Sequence, residues 1–317
     1  MQPSALLRAL YRMVKKVKDT IAKKKYTDPI KYPILLAVPA LLVYVIFFIY
    51  PALSGFYYAL TTWSAKSVDY KFVGFQQIIE VINNPVIATA LKNSFIFAGL
   101  TMLIENVLGL SLAIALNQKI KSRTFLRAVY FAPAILSVVA CGLTFKGIMH
   151  PTTGLFNGVL NSIGLGSLAN GWYTDKVMAI YSAVIMDVWR AMGVNMAIYL
   201  AGLQSISQDY YEAATLDGAH GWGMFTKITL PLISNTITVN VVLTIIGGLR
   251  IFDVVYYFTN GGPGNASQVM QTMAYQYMGK GIWGYSSAIS SILTVIVLAV
   301  SVPLLLMLRR NDERRTG

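Results

Sequence analysis

The chain has 317 residues, of which 56% are hydrophobic and only 12% are charged, and its mean hydropathy is +0.58. This composition excludes a soluble globular domain and indicates a membrane protein that crosses the bilayer several times. The net charge of +13 does not indicate nucleic-acid binding, because the basic residues concentrate in short segments beside apolar runs, where they orient membrane spans.

Residues 1–31 form a basic segment in which Leu6, Leu10, Val14 and Val17 recur at helical spacing. This pattern predicts an amphipathic helix on the anionic inner leaflet of a membrane. The alternative is a contact with an ATPase partner. The apolar run that follows is too long for a cleaved signal peptide.

Six apolar runs predict an all-α membrane protein with six transmembrane helices. The predicted spans are at about 32–60, 90–116, 128–149, 177–203, 232–258 and 286–308. Eighteen of the 26 Lys and Arg residues lie in segments that this topology places inside, and six lie in or beside the outer segments. The bias predicts that both termini are cytoplasmic. The chain then divides into the basic segment, a transmembrane domain over 32–308 and a cytoplasmic tail over 309–317.

The polar segment 207–231, between the fourth and fifth spans, is predicted to lie in the cytoplasm. Ser207 can cap a helix, with Asp209 in the favourable first turn. Asp217 and Gly218 end that helix, and we expect Gly218 to adopt a left-handed or otherwise restricted backbone.

A second short helix is predicted in the same segment, where Trp222, Phe225 and Ile228 recur at three-residue spacing. Pro231 is predicted to open the fifth span, at a position where its missing N–H costs little. The result is two short helices at a sharp turn on the membrane surface. One interpretation is an interfacial hairpin that only links two spans. The other is a structure that passes force to a soluble partner.

The residues of this segment favour the second interpretation, because they resemble the EAA loop of ABC-importer permeases, in particular of the carbohydrate-importer branch. The matching positions are Glu212, Ala213, Ala214, Asp217, Gly218, Phe225, Ile228, Leu230 and Pro231. The resemblance runs from about Tyr32 to the end of the last span and is closest to MalF-type subunits of oligosaccharide importers. One departure is Ser234-Asn235, where relatives often have a basic residue or proline.

The resemblance implies a permease subunit of the prokaryotic cytoplasmic membrane that moves a sugar by alternating access. It also implies its partners: a MalG-type second permease subunit, an ABC ATPase dimer that docks on the loop, and an extracytoplasmic sugar-binding protein. The chain has no Gly-x-x-x-x-Gly-Lys-Ser/Thr motif, metal-ligand cluster or nucleophile–base arrangement. We therefore expect no enzyme activity and no metal or cofactor in this chain, with ATP and Mg²⁺ bound by the partner ATPase.

Charged residues inside membrane spans are costly and usually functional. Glu105 lies in the second span, and two pairs with three-residue spacing, Asp187/Arg190 and Arg250/Asp253, lie in the fourth and fifth. That spacing places each pair on one helical face. Each is either a self-neutralising structural pair or part of a hydrophilic path that hydrogen-bonds sugar hydroxyls.

The resemblance to the maltose permease also implies positions for the sugar path. With Asp253 added for its charge, the candidates are Asp187, Arg190, Ala191, Thr244, Gly247, Gly248, Ile251 and Asp253. The alternative for the Gly247-Gly248 pair is close helix packing.

The segment 259–265 is rich in Gly, Asn and Pro and predicts a tight turn outside. Two other functions stay open from the residues alone. A secondary transporter would use the intramembrane carboxylates with an ion gradient. A membrane scaffold would have no transport role.

Overall fold

Apolar helices dominate the computed structural model, which describes residues 37–66, 69–118 and 120–316, with side chains up to residue 309. The basic segment 1–31, with its predicted surface helix, lies outside the described residues. The chain forms two compact units, Met1–Ala52 and Leu53–Gly317. The sites discussed below belong to the second unit.

Helices and turns make up the fold over the described ranges, where an isolated bridge between Thr61 and Phe72 is the only β pairing. The all-helical prediction is confirmed for those ranges. The α-helices are α1 (Val38–Tyr44), α2 (Tyr50–Tyr58), α3 (Gln76–Ile82), α4 (Pro85–Asn117), α5 (Arg123–Ile135), α6 (Val138–Ile148), α7 (Leu155–Ser162), α8 (Met178–Gln204), α9 (Gln208–Leu216), α10 (Gly221–Met224), α11 (Leu230–Leu232), α12 (Ser234–Leu249), α13 (Asp253–Phe258), α14 (Met270–Gly279) and α15 (Trp283–Thr316). Short π-helical segments, Val45–Ile49 and Phe225–Thr229, join α1 to α2 and α10 to α11.

Four helical stretches are long and apolar enough to cross a membrane: Val38–Tyr58, Pro85–Asn117, Met178–Gln204 and Trp283–Arg309. Two bent helix pairs raise the number to as many as six, if each pair is one span. The described part of the chain therefore has between four and six candidate spans. The exact count of six and the orientation of the termini stay predictions.

The third predicted span is sharply bent in the structure. α5 and α6 meet at an angle of 98°. Pro133 lies in the last turn of α5, where it removes a backbone donor, and the following Leu136 has an extended backbone (φ −68°, ψ 144°). The residues of the third predicted span, 128–149, are therefore divided between two helices.

The start of the fifth span also differs from the prediction. Pro231 lies in α11, and Gly221–Leu232 meets α12 at an angle of 69°. The bend is at Ile233, which is buried and has a non-helical backbone (φ −94°, ψ 7°). Pro231 therefore belongs to the end of the loop's second helix, and α12 begins at Ser234.

α4 packs along both α8 and α12, and these three helices form the centre of the second unit. Small residues allow the close approach. A Cβ on Gly109 of α4 would lie 2.7 Å from Asn195 Cβ of α8, and a Cβ on Gly248 of α12 would lie 2.6 Å from Ala98 Cα of α4. The helices enclose polar residues between them.

The segment 259–285, which is predicted to lie outside, contains more structure than the predicted turn. The turn itself is confirmed, because Asn260, Gly261, Gly264 and Asn265 all have positive φ. It is followed by α14, which packs against α15 and α4 and buries Met270 and neighbouring side chains. The sequence analysis did not predict this helix.

Candidate functional site

A cavity of about 690 Å³, with charged and polar residues in its lining, lies between α4, α8, α12 and the break that follows α12. Its volume is within the roughly 300–1,000 Å³ of small-molecule sites. Every residue predicted for the sugar path lies in its lining: Asp187, Arg190, Ala191, Thr244, Gly247, Gly248, Ile251 and Asp253. The structure therefore brings together positions that lie up to 66 residues apart in sequence. Their role in transport stays a prediction.

Asp187 and Arg190 form an ion pair, with 3.0 Å between Arg190 Nη2 and Asp187 Oδ1. The Asp187 side chain is only 9% exposed, and that of Arg190 is 23% exposed. Arg190 Nε is buried without a hydrogen-bond partner in the described part of the chain. The pair is thus both self-neutralising and in contact with the cavity, so the two interpretations from sequence coexist here.

Arg250 and Asp253 do not share a helical face, contrary to the prediction. α12 ends at Leu249 and α13 begins at Asp253, so the intervening residues leave the helix. Asp253 Oδ1 accepts a hydrogen bond from the Val254 N–H at 2.9 Å, and among the described residues no ion pair joins it to Arg250. Both side chains line the cavity independently.

Glu105 is buried and belongs to a hydrogen-bond network that links α4, α8 and α12. Asn195 donates to Glu105 Oε2 at 3.1 Å, and Asn240 donates to Asn195 Oδ1 at 2.8 Å and to Asn106 Oδ1 at 3.0 Å. Tyr199 also donates to Asn106 Oδ1. The network satisfies most of its buried polar groups, and Asn240 Oδ1 has no hydrogen-bond partner among the residues that the structure describes.

The sequence analysis missed the three asparagines of this network. The amide side chains within apolar runs could have indicated this network, since polar side chains inside spans face protein or a water-filled cavity. Asn195 and Asn240 both line the cavity, and Asn106 lies one residue beyond Glu105.

The adjacent glycines 247 and 248 differ in their surroundings. A Cβ on Gly248 would lie 2.6 Å from Ala98 Cα and 2.9 Å from Thr101 Oγ1. A Cβ on Gly247 would have no neighbour within 4 Å. Gly248 therefore allows close helix packing, and Gly247 leaves open space in the cavity.

The two-helix loop has the predicted local structure at its first helix. The Ser207 side chain accepts from the Asp209 N–H, and α9 begins after it. α9 ends in a Schellman motif, in which the Ala219 N–H donates to Ala214 O at 2.8 Å and the Gly218 N–H donates to Thr215 O at 3.1 Å. Gly218 has φ +80°, which confirms the expected left-handed backbone.

The loop presents apolar side chains to its surroundings. Tyr210 is 56% exposed, Leu216 89% and Trp222 77%, and Glu212 lies exposed on the same short helix as the first two. A contiguous group of exposed apolar side chains is typical of protein–protein or membrane interaction sites. A groove of about 900 Å³ runs between the two helices of the loop.

The predicted coupling residues divide between this groove and its surroundings. Those in the groove lining are Ala213, Ala214, Asp217, Gly218 and Ile228. Glu212 is exposed beside it, and Phe225, Leu230 and Pro231 are half-buried in the second helix. Tyr211 and Thr229 hydroxyls lie 3.4 Å apart and connect the two helices.

Residues 106–317 match the protein family described as the inner membrane component of binding-protein-dependent transport systems. The chain belongs to this family. The matched region begins inside α4 and includes the two-helix loop and most of the cavity lining. The loop residues that resemble the EAA motif lie within this matched region.

Curated relatives of this permease family support the same assignment. "Probable ABC transporter permease protein YurN" of Bacillus subtilis (strain 168) is 35% identical, over 85% of this chain and 93% of its own length. The trehalose/maltose transport system permease protein MalF of Thermococcus litoralis is 34% identical, over 89% and 94%. The arabinooligosaccharides transport system permease protein AraP of Bacillus subtilis is 32% identical, over 85% and 86%. The predicted resemblance to ABC-importer sugar permeases is confirmed, and so is the expectation of a transport subunit rather than an enzyme.

A solved structure shares the fold. A chain of a bacterial alginate ABC transporter, solved in complex with an alginate pentasaccharide-bound periplasmic protein, superposes with a TM-score of 0.74. It is 22% identical, and the match covers 89% of this permease and 94% of that chain. The family match and the apolar helices together identify the chain as a membrane-embedded permease.

Proposed function

We propose that this chain is the permease subunit of an ATP-driven importer that moves a sugar, specifically an oligosaccharide, across a prokaryotic cytoplasmic membrane by alternating access. One observation carries the proposal: the helices that line the polar cavity continue directly into the exposed two-helix loop. α8 ends three residues before Ser207, and the second helix of the loop bends at Ile233 into α12.

The cavity offers the hydrogen bonds that a sugar requires. Each sugar hydroxyl both donates and accepts, so a site for it needs acceptors and donors together. Within the part of the chain that the structure describes, Arg190 Nε donates to no acceptor and Asn240 Oδ1 accepts from no donor. Both residues line the cavity, beside the Asp187 carboxylate. The names of relatives such as the trehalose/maltose and arabinooligosaccharides permeases support a sugar as the substrate.

The loop is suited to transmit force because its first helix is fixed at both ends. Ser207 caps the beginning of α9, and the Schellman motif at Gly218 closes its end. We propose that an ABC ATPase dimer, which holds ATP and Mg²⁺, binds the exposed face with Glu212. A MalG-type second permease subunit and an extracytoplasmic sugar-binding protein complete the proposed complex. Closure of the ATPase dimer would move the loop as a rigid lever and shift the cavity walls.

Two variants of the loop test the proposed coupling. In Glu212→Lys, the charge reversal replaces attraction to a basic partner residue by repulsion. In Gly218→Pro, proline fixes φ near −65°, whereas Gly218 has φ +80°. Both changes lie outside the candidate spans, so we expect normal membrane insertion together with loss of ATPase binding or of sugar-stimulated ATP hydrolysis.

Co-purification of the ATPase from membranes and ATPase assays of the complex measure these effects. Glu80→Lys is a matched control, because Glu80 is an exposed carboxylate on α3 and lies outside the loop. If both loop variants bind the ATPase and couple ATP hydrolysis to sugar as the wild type does, the loop only links two spans. Transport that follows a proton or sodium gradient without ATP would favour a secondary transporter.

The substrate is tested first on the proposed sugar-binding protein partner. Its thermal unfolding is measured with glucose, trehalose, lactose, maltose, maltotetraose, arabinotetraose and an alginate tetrasaccharide. A shift with at least one oligosaccharide is expected. If none of these sugars raises the unfolding temperature and a non-sugar solute does, the proposed substrate is contradicted.

A further inference from the structure

Three aromatic rings meet beside the cavity, at the break in the helix after α12. The Phe252 and Tyr256 rings are stacked, with centroids 5.1 Å apart and an interplanar angle of 18°. The Tyr275 ring of α14 contacts both, with centroid distances of 5.0 Å to Phe252 and 5.1 Å to Tyr256. The three residues are named the aromatic cluster below.

The aromatic cluster borders a second pocket of about 160 Å³. Phe252 lines both this pocket and the larger cavity, so the two spaces share a wall. Gln271, Ser286 and Ser290 supply polar groups to the pocket. The Gln271 side chain makes no hydrogen bond within the described residues, whereas the buried Ser286 hydroxyl donates to Ala274 O at 2.7 Å.

Two tyrosines of α14, Tyr275 and Tyr277, differ in how they contact their surroundings. The Tyr277 ring of α14 contacts the Tyr285 ring at a centroid distance of 4.4 Å and an interplanar angle of 44°. Tyr285 is buried, and its hydroxyl accepts a hydrogen bond from the Asn84 amide at 3.1 Å. Tyr275 instead remains 43% exposed although it touches two other rings. Tyr277 and Tyr285 hold α14 on α15, while Tyr275 presents ring surface to the pocket.

We propose that the aromatic cluster and Gln271 form a second sugar subsite, which binds a pyranose ring of an oligosaccharide as it enters the cavity. The inference rests on the proposed function. A pyranose has an apolar C–H face, and covering it with an aromatic ring removes apolar surface from water. Its hydroxyls then lie at the edge of the ring, where a free amide can both donate and accept. The Gln271 amide provides that group beside Tyr275.

The position of the subsite indicates which substrates depend on it. Phe252 lies in the 250–252 break, Tyr256 on α13 and Tyr275 on α14, within and next to the segment predicted to face outside. A short sugar held at Arg190 and Asn240 need not reach it, whereas a longer chain occupies the cavity and the pocket together. The subsite therefore favours longer oligosaccharides.

Transport into vesicles that contain the complete complex tests this inference. The substrates are maltose and maltotetraose, or the di- and tetrasaccharide of whichever sugar series stabilises the binding protein most. The variants are Tyr275→Ala, Tyr275→Phe and Gln271→Ala. We expect Tyr275→Ala to lower tetrasaccharide transport at limiting concentration about two- to tenfold, the range that aromatic contacts give. Disaccharide transport should change less, and Tyr275→Phe should retain transport because it keeps the ring.

Tyr70→Ala is the matched control, because Tyr70 is 40% exposed and lies in the lining of neither pocket. Equal tetrasaccharide transport by wild type, Tyr275→Ala and Gln271→Ala would overturn the subsite alone. Failure of Tyr275→Ala to assemble, with normal transport by Gln271→Ala, would assign the cluster to a subunit interface and also overturn it. A wild-type complex that transports none of the screened sugars refutes the proposed function, and the subsite with it.

Discussion

Replacing Gly248 by alanine places a methyl group between two packed helices. The new Cβ would lie 2.6 Å from Ala98 Cα, and ordinary contact begins at 3.4 Å, so α4 and α12 must separate by roughly 0.8 Å. Ala98 Cα is a backbone atom and cannot rotate away. Such overpacking costs about 1–3 kcal/mol. Gly247→Ala is the matched variant, because its methyl group meets no atom within 4 Å.

The comparison isolates the steric effect, since both variants replace glycine by alanine near the end of the same helix. Alanine stabilises a helix by about 0.5–1 kcal/mol relative to glycine, and this gain is common to both. We therefore expect Gly248→Ala to be less stable than Gly247→Ala by about 1–3 kcal/mol. The thermal unfolding midpoint of the purified complex, monitored by size-exclusion chromatography after heating, measures the difference. Equal midpoints for the two variants would refute the close packing of α12 on α4.

Two further predictions concern topology and the cavity charges. Once Cys141, the single cysteine, is replaced, a cysteine at Asn265 should react with an impermeant thiol reagent from outside and one at Ser205 only from inside; outside labelling at 205 would contradict the topology. Arg190→Ala should reduce sugar transport at least several-fold while the complex still assembles, although an unpaired Asp187 costs a few kcal/mol. Loss of assembly, measured by co-purification, would make the ion pair structural.

Local features were accessible from the sequence because local interactions determine them. The predicted spans at 90–116 and 177–203 correspond closely to Pro85–Asn117 and Met178–Gln204. The cap at Ser207 and the positive φ of Gly218 follow from side-chain and backbone chemistry within a few residues.

The bends were not accessible in the same way. Apolar runs predict that a segment is membrane-buried, but their composition does not show where a helix changes direction. The 98° bend after Pro133 and the 69° bend at Ile233 depend on how the flanking helices pack. For the same reason, Arg250 and Asp253 had the spacing of one helical face and yet lie on either side of a helix break.

By itself, the sequence determined the membrane class, the helical content and the residues of the two-helix loop, because hydropathy and short motifs are encoded over neighbouring positions. Only the tertiary structure decided which polar groups meet. Asn195 reaches Glu105 across 90 residues, and Tyr275 joins Phe252 from a helix that composition did not reveal. Such contacts depend on the packing of α4, α8, α12 and α14, which brings distant positions to within a few ångströms.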